Sequence, residues 1–153
     1  MAIPFDEKET IRHIITDSHT IAIVGLSDDP ERPSYAVAQY LQGRHYRIIP
    51  VNPGVTEVLG EQAYPDLLSV PERVDVVDIF RRSDQVLPIV EQAVKIGARA
   101  VWMQEGVVNE EAAIWARAAG LLVVMNHCML KETKRLVAEG SLPAQPSSQA
   151  ARE

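Results

Sequence analysis

Residues 20–41, TIAIVGLSDDPERPSYAVAQYL, hold an apolar run, one glycine, a polar loop and a helical pattern in succession. The run 21–24 predicts a buried strand, Gly25 a sharp turn, and the segment from Ser34 a helix. A strand that ends in glycine and feeds a helix start builds an anion site from main chain alone. The aligned peptide dipoles and free N–H groups at a helix start favour an anion, and glycine lets a ligand approach the chain. The same arrangement is the ordinary strand-to-helix connection of α/β proteins, so the stretch decides the fold before it decides a ligand.

The pattern repeats outward from there. Residues 6–18 read as a helix, with Asp6 as its cap, Glu9 in the capping-box position and Ile11, Ile14 and Ile15 on one stripe. The helix over 34–42 buries Val37, Tyr40 and Leu41 and stops at Gly43. Residues 46–51 form a second strand whose Pro50 must sit at its end or lack a ladder partner, and Asn52-Pro53-Gly54 turns it. An irregular crossover follows over 55–73, with a short edge strand at 57–59 and a helical turn after Asp66. Residues 74–80 are the third long strand, and Arg81-Arg82-Ser83 leave it. Pro88 predicts a kinked or broken start to the helix over 84–96, which stops at Gly97. A strand at 100–104, a helix capped by Asn109 and stopped by Gly120, a strand at 121–125 and a helix at 129–138 complete the domain. The segment from Gly140, rich in Ser, Pro, Ala and Gln, reads as a disordered tail after a domain over 1–139.

Apolar strands alternating with helices imply a parallel sheet covered on both faces, hence an α/β fold: a single Rossmann-like, doubly wound sheet flanked by helices, of order 3-2-1-4-5 or a close variant. At 153 residues, 46% hydrophobic and 24% charged, the chain suits one domain with a substantial core. The net charge of -6 argues against nucleic acid as partner. The absence of a long apolar run argues against a membrane. One cysteine and an acidic N-terminus are what a cytoplasmic protein would show. The histidines show no metal-ligand spacing, so no metal is expected.

In such a sheet the ligand sits at the carboxyl ends of the strands, beside the first strand. The exits there are Gly25-Leu26-Ser27, Asn52-Pro53-Gly54, Phe80-Arg81-Arg82, Gln104-Glu105-Gly106 and Asn126-His127-Cys128. A dinucleotide site would want Gly-x-Gly-x-x-Gly after the first strand and an acid at the end of the second. This chain has one glycine in that loop and Asn52 at the second place, and it has no Gly-x-x-x-x-Gly-Lys-Ser/Thr.

The runs VGLSDDPERPSY, IIPVNPG, VDIFRRSD, WMQEGVVNEEA and GLLVVMNHC together resemble the small stand-alone CoA-binding proteins, which are similar to the N-terminal domain of the succinyl-CoA synthetase α subunit. The resemblance covers roughly residues 8–136 and implies a site for coenzyme A at the switch-point edge. It implies that Gly25, Ser27, Arg32 and Ser34 face the CoA phosphates, with Leu26 between them counted in the cofactor site, and that Asn52 and Pro53 border the nucleotide end. Phe80 and Arg81 would flank the adenine or the phosphates, Arg32 or Arg82 would supply the charge of a lysine that the synthetase has and this chain lacks, and Gln104 and Glu105 would lie toward the pantetheine arm. One departure is Val55, which follows Gly54 where the synthetase has lysine. Another is His127, where relatives often carry arginine.

The synthetase relies on a separate domain with a phosphorylated histidine and on a second subunit, and no stretch here matches either. The expected function is therefore binding of CoA or a short acyl-CoA, as a small-molecule ligand, without catalysis. The alternatives are an acyl-CoA-acting enzyme that uses Cys128 or His127, and an NAD(H)-responsive sensor on the same fold.

Overall fold

A computed structural model describes residues 6–144. The elements run α1 (Glu7–Asp17), β1 (Thr20–Val24), α2 (Pro33–Gly43), β2 (Arg47–Val51), β3 (Glu57–Val58), β4 (Glu61–Gln62), a 3₁₀ turn, β5 (Val76–Ile79), a second 3₁₀ turn, α3 (Val86–Lys95), β6 (Ala100–Met103), α4 (Glu110–Ala118), β7 (Leu122–Val124) and α5 (Met129–Ala138). The caps fall where the side chains dictate. Asp6 accepts from the Glu9 N–H at 2.8 Å and Asn109 from the Ala112 N–H at 2.9 Å. Pro88 lies in the first turn of α3, where its missing N–H removes no helical bond, because the 3₁₀ turn at 83–85 precedes it.

Five parallel strands form the sheet, in the order β2-β1-β5-β6-β7. Counting long strands only, this is 2-1-3-4-5 and not the 3-2-1-4-5 expected from the sequence. The crossover after β2 is the reason. Tyr64 makes a single parallel bridge to Val51. Its N–H donates to the Pro50 carbonyl at 3.0 Å, and its own carbonyl accepts from the Asn52 N–H at 2.8 Å. That bridge occupies the outer side of β2, so β5 pairs with the free side of β1. Pro50 sits inside β2, and its nitrogen points with its carbonyl toward this outer side, away from the β1 ladder.

Strand alternation divides the core in two. Val24, Val77, Ile79 and Met103 face α3 and α4, while Ile21, Ile23, Val76 and Trp102 face α1, α2 and α5. Both faces being covered, even the strand residues that would meet water in a half-open sheet are buried. At the opposite end from the strand exits, Asp75 Oδ2 accepts from the N–H groups of His19 (2.8 Å) and Thr20 (2.9 Å). Asp75→Ala leaves both donors unpaired and is expected to lower stability by roughly 1–3 kcal/mol in urea unfolding. An unchanged midpoint would show that water replaces the carboxylate there.

The expected tail is held onto the fold as far as the structure describes it. Leu142 packs against the α2–α5 side of the core, and Arg44 donates to the carbonyls of Pro143 and Ala144 at 2.9 and 3.3 Å. The rest of the predicted tail, 145–153, lies outside the described residues.

Candidate functional site

The order 2-1-3-4-5 places the switch point between β1 and β5, where helices leave to opposite faces and their exits part to form a crevice. Gly25 fixes its geometry. It has φ +89°, and a Cβ there would lie 2.1 Å from the Phe80 carbonyl oxygen. The space that glycine leaves is thus filled by main chain of the β5 exit, and Phe80 also donates its N–H to the Val24 carbonyl at 2.8 Å. Gly25 works by letting two strand exits close on each other.

The loop beyond it is tied by its own polar groups. The Ser27 N–H donates to Ser34 Oγ at 3.0 Å, and Ser27 Oγ accepts from the Asp29 N–H at 3.0 Å. Asn52 bridges to the next exit, donating through Nδ2 to the Leu26 carbonyl at 3.0 Å and accepting the Gly54 N–H at 2.9 Å. Leu26 itself is fully buried. Its side chain belongs to the core, and its carbonyl is already taken. Pro53 is exposed at the turn. Arg32 lies out in solvent, with Asp29 at 4.0 Å. The start of α2 has no side-chain cap and no acid in its first turn, unlike α1 and α4.

Two cavities open beside the β5 exit. An apolar slot of about 170 Å³ lies among Val24, Val51, Leu67 and Ile89, with Arg81 and Asp66 among its polar residues. A wider depression of about 480 Å³ gathers Phe80, Arg81, Arg82, Gln104 and Glu105. Five of the residues singled out in the sequence therefore meet there, and Arg81 is common to both cavities. Gly25, Ser27, Ser34 and Asn52 line neither cavity and are held at the same sheet edge by the contacts above. Arg82 is exposed and faces Asp84 at 3.3 Å.

Sequence reasoning missed three participants. Lys131 makes two 3.0 Å bonds to the Glu105 carboxylate, so Glu105 anchors the rim of the depression to α5. Tyr64 closes the outer edge, as described. Asp78 lies wholly buried in β5, between Ile23 and Trp102 in register. Its Oδ1 accepts from Gln104 Nε2 at 2.5 Å, and its Oδ2 has no hydrogen-bond partner among the described residues. Burial pushes this carboxyl up to about 7, opposed by the Gln104 hydrogen bond. An aspartate in the middle of a strand covered on both faces was the signal available for it.

His127 and Cys128 do not form a pair that the structure joins by a hydrogen bond. His127 Nε2 lies 3.2 Å from Glu7 and Nδ1 3.4 Å from Glu132, and its carbonyl accepts from Trp102 Nε1 at 2.8 Å. Cys128 stands at the start of α5, packed against the core.

A family described as "CoA binding domain" matches residues 19–134. The uncharacterized protein YneT of Bacillus subtilis (strain 168) is 40% identical over 122 residues, spanning 80% of this chain and 90% of that protein. A solved structure of a hypothetical protein from Pyrococcus horikoshii OT3 is 42% identical, with a TM-score of 0.83 over 90% of this chain and 96% of its own. An ADP-forming acetate–CoA ligase of Methanocaldococcus jannaschii is 28% identical over 80 residues, which are 52% of this chain and 11% of that enzyme.

Proposed function

The chain belongs to the CoA binding domain family, and from that premise we propose that it binds coenzyme A or a short acyl-CoA at the switch-point crevice, without catalysis of its own. The observation that carries this reading is the uncapped, acid-free start of α2, which lies at the same carboxyl edge of the sheet as the two cavities that Arg81 lines. The positive end of α2 and its first N–H groups suit the pyrophosphate. Arg81 is placed for a further phosphate or for the face of the adenine, since a guanidinium can bond oxygens bidentately or stack on a ring. The apolar slot behind it suits the base, and the depression that reaches Gln104 and Glu105 suits the pantetheine arm. The relatives' names support CoA as the ligand: the ligase that shares this region is an acetate–CoA ligase.

Isothermal titration of folded apo protein with CoA at moderate salt is expected to give one saturable binding event. Arg81→Ala should weaken it roughly tenfold or more, the range for a lost charge-assisted hydrogen bond. No heat from parent protein shown to be folded would overturn the reading.

A further inference from the structure

Among the described residues, Gln104 is the one side chain that hydrogen-bonds to the buried Asp78, and it also lines the open depression. A primary amide has a donor end and an acceptor end, and whichever faces inward decides what the other offers outward. Asp78 Oδ1 takes the Nε2 end at 2.5 Å. The Oε1 end has no hydrogen-bond partner among the described residues. It is not sealed from solvent in the way that Asp78 Oδ2 is.

We propose that Asp78 is a positioning residue that sets the hydrogen-bonding polarity of Gln104, so that its carboxylate holds the amide with Oε1 outward to accept an amide N–H of the ligand. The inference rests on the CoA reading, since the pantetheine arm carries secondary amides whose N–H groups need such an acceptor. Protonation reverses the arrangement. A neutral Asp78 hydroxyl left without an acceptor in an apolar core is unfavourable, and turning the Gln104 amide gives it Oε1 as partner. The depression then presents N–H₂ in place of C=O, and the ligand amide meets a donor where it needs an acceptor. Burial places the Asp78 transition near neutral pH, so the same site would hold its ligand more tightly on the alkaline side.

Titratable groups on the surrounding elements are engaged elsewhere. On α1, Glu9 faces Arg12 and His13 faces Asp17, while Glu7 faces His127. Arg32, ahead of α2, faces Asp29. On α5, Glu132 faces His127 and Arg135, Lys131 holds Glu105 on the β6 exit, and Lys134 lies over the Tyr40 ring. Cys128 begins α5. None of them hydrogen-bonds or ion-pairs with Asp78, whose single hydrogen-bond partner among the described residues is Gln104.

The test is CoA titration of the parent protein, Asp78→Asn and Gln104→Leu from about pH 6 to about pH 8, with side-chain amide NMR on the free proteins. The parent's affinity should rise roughly five- to tenfold across this range, the size of one hydrogen bond gained in place of one opposed. Asp78→Asn should lose that rise, and the difference between profiles cancels titration of the CoA phosphate. Gln104→Leu should bind roughly tenfold more weakly than parent at about pH 8. The Gln104 amide resonance, assigned by its absence in Gln104→Leu, should shift with pH in the parent and stay fixed in Asp78→Asn. CoA binding with the same pH profile in parent and Asp78→Asn, or an amide resonance that does not move, overturns the positioning role alone. No CoA binding at any pH overturns this proposal together with the CoA reading.

Discussion

Gly25→Ala is expected to lower the unfolding free energy by roughly 3–5 kcal/mol, combining the strain of a left-handed backbone with the cost of overpacking. The backbone there has φ +89°, and the added methyl would stand 2.1 Å from the Phe80 carbonyl oxygen and 3.0 Å from its carbonyl carbon. Neither neighbour is the free end of a side chain, so relief requires β1 and β5 to part. Because Phe80, Arg81 and Arg82 leave β5 at that point, the displacement also spoils the crevice. The loss of stability is a large share of the 5–15 kcal/mol that holds a domain of this kind folded. Thermal unfolding should show it as a fall of about 10 °C or more. A melting temperature within a degree or two of the parent would mean that the Phe80 carbonyl can move aside.

The second large effect concerns stability against pH. The Asp78 carboxyl, held up at about 7 by burial against 3.8 for the free side chain, keeps its proton in the folded chain where the unfolded chain has released it. Stability contributed by the neutral acid is therefore lost as pH rises from about 4 to about 7, and it levels off above that. Over the whole window the change is worth roughly 4 kcal/mol at most. Asp78→Asn removes it, so the variant should gain on the parent steadily across that range. Glu72, held below the usual carboxylate range by its hydrogen bond to Arg47, contributes the opposite slope at lower pH in both proteins. It therefore cancels in the comparison. Urea unfolding of the two proteins at matched pH values measures the difference, and parallel curves would show that Asp78 does not titrate in this window.

The elements were legible because local chemistry decides them. Asp6 and Asn109 cap the helices expected to start at them, and Gly97 and Gly120 stop theirs in the left-handed conformation. The strand order was not legible, since it depends on whether the crossover makes a strand or a bridge. One pair of hydrogen bonds at Tyr64 settles that, and no periodicity announces a single residue. Within the site, Arg81 and Arg82 could be read because cations at a strand exit are conspicuous. The partner of Glu105 could not, because Lys131 lies on another element and only the fold brings them together. Asp78 was hidden by its strand, where alternation allows a polar residue until both faces are known to be covered. Gly25 is conspicuous in the sequence, but the main chain it makes room for, the Phe80 carbonyl, belongs to a strand more than fifty residues away and shows only in the fold.

The bridge at Tyr64 bears on the fate of the protein in a crowded cell. A sheet whose outermost strand offers a free row of donors and acceptors can recruit a strand from another chain, which is how ordered aggregates begin. Here Pro50 removes one donor from that row, and Tyr64 occupies the carbonyl that Pro50 leaves. At the other margin β7 is only three residues long, too short a template for a stranger. The sheet is closed to growth at both sides without being closed into a barrel.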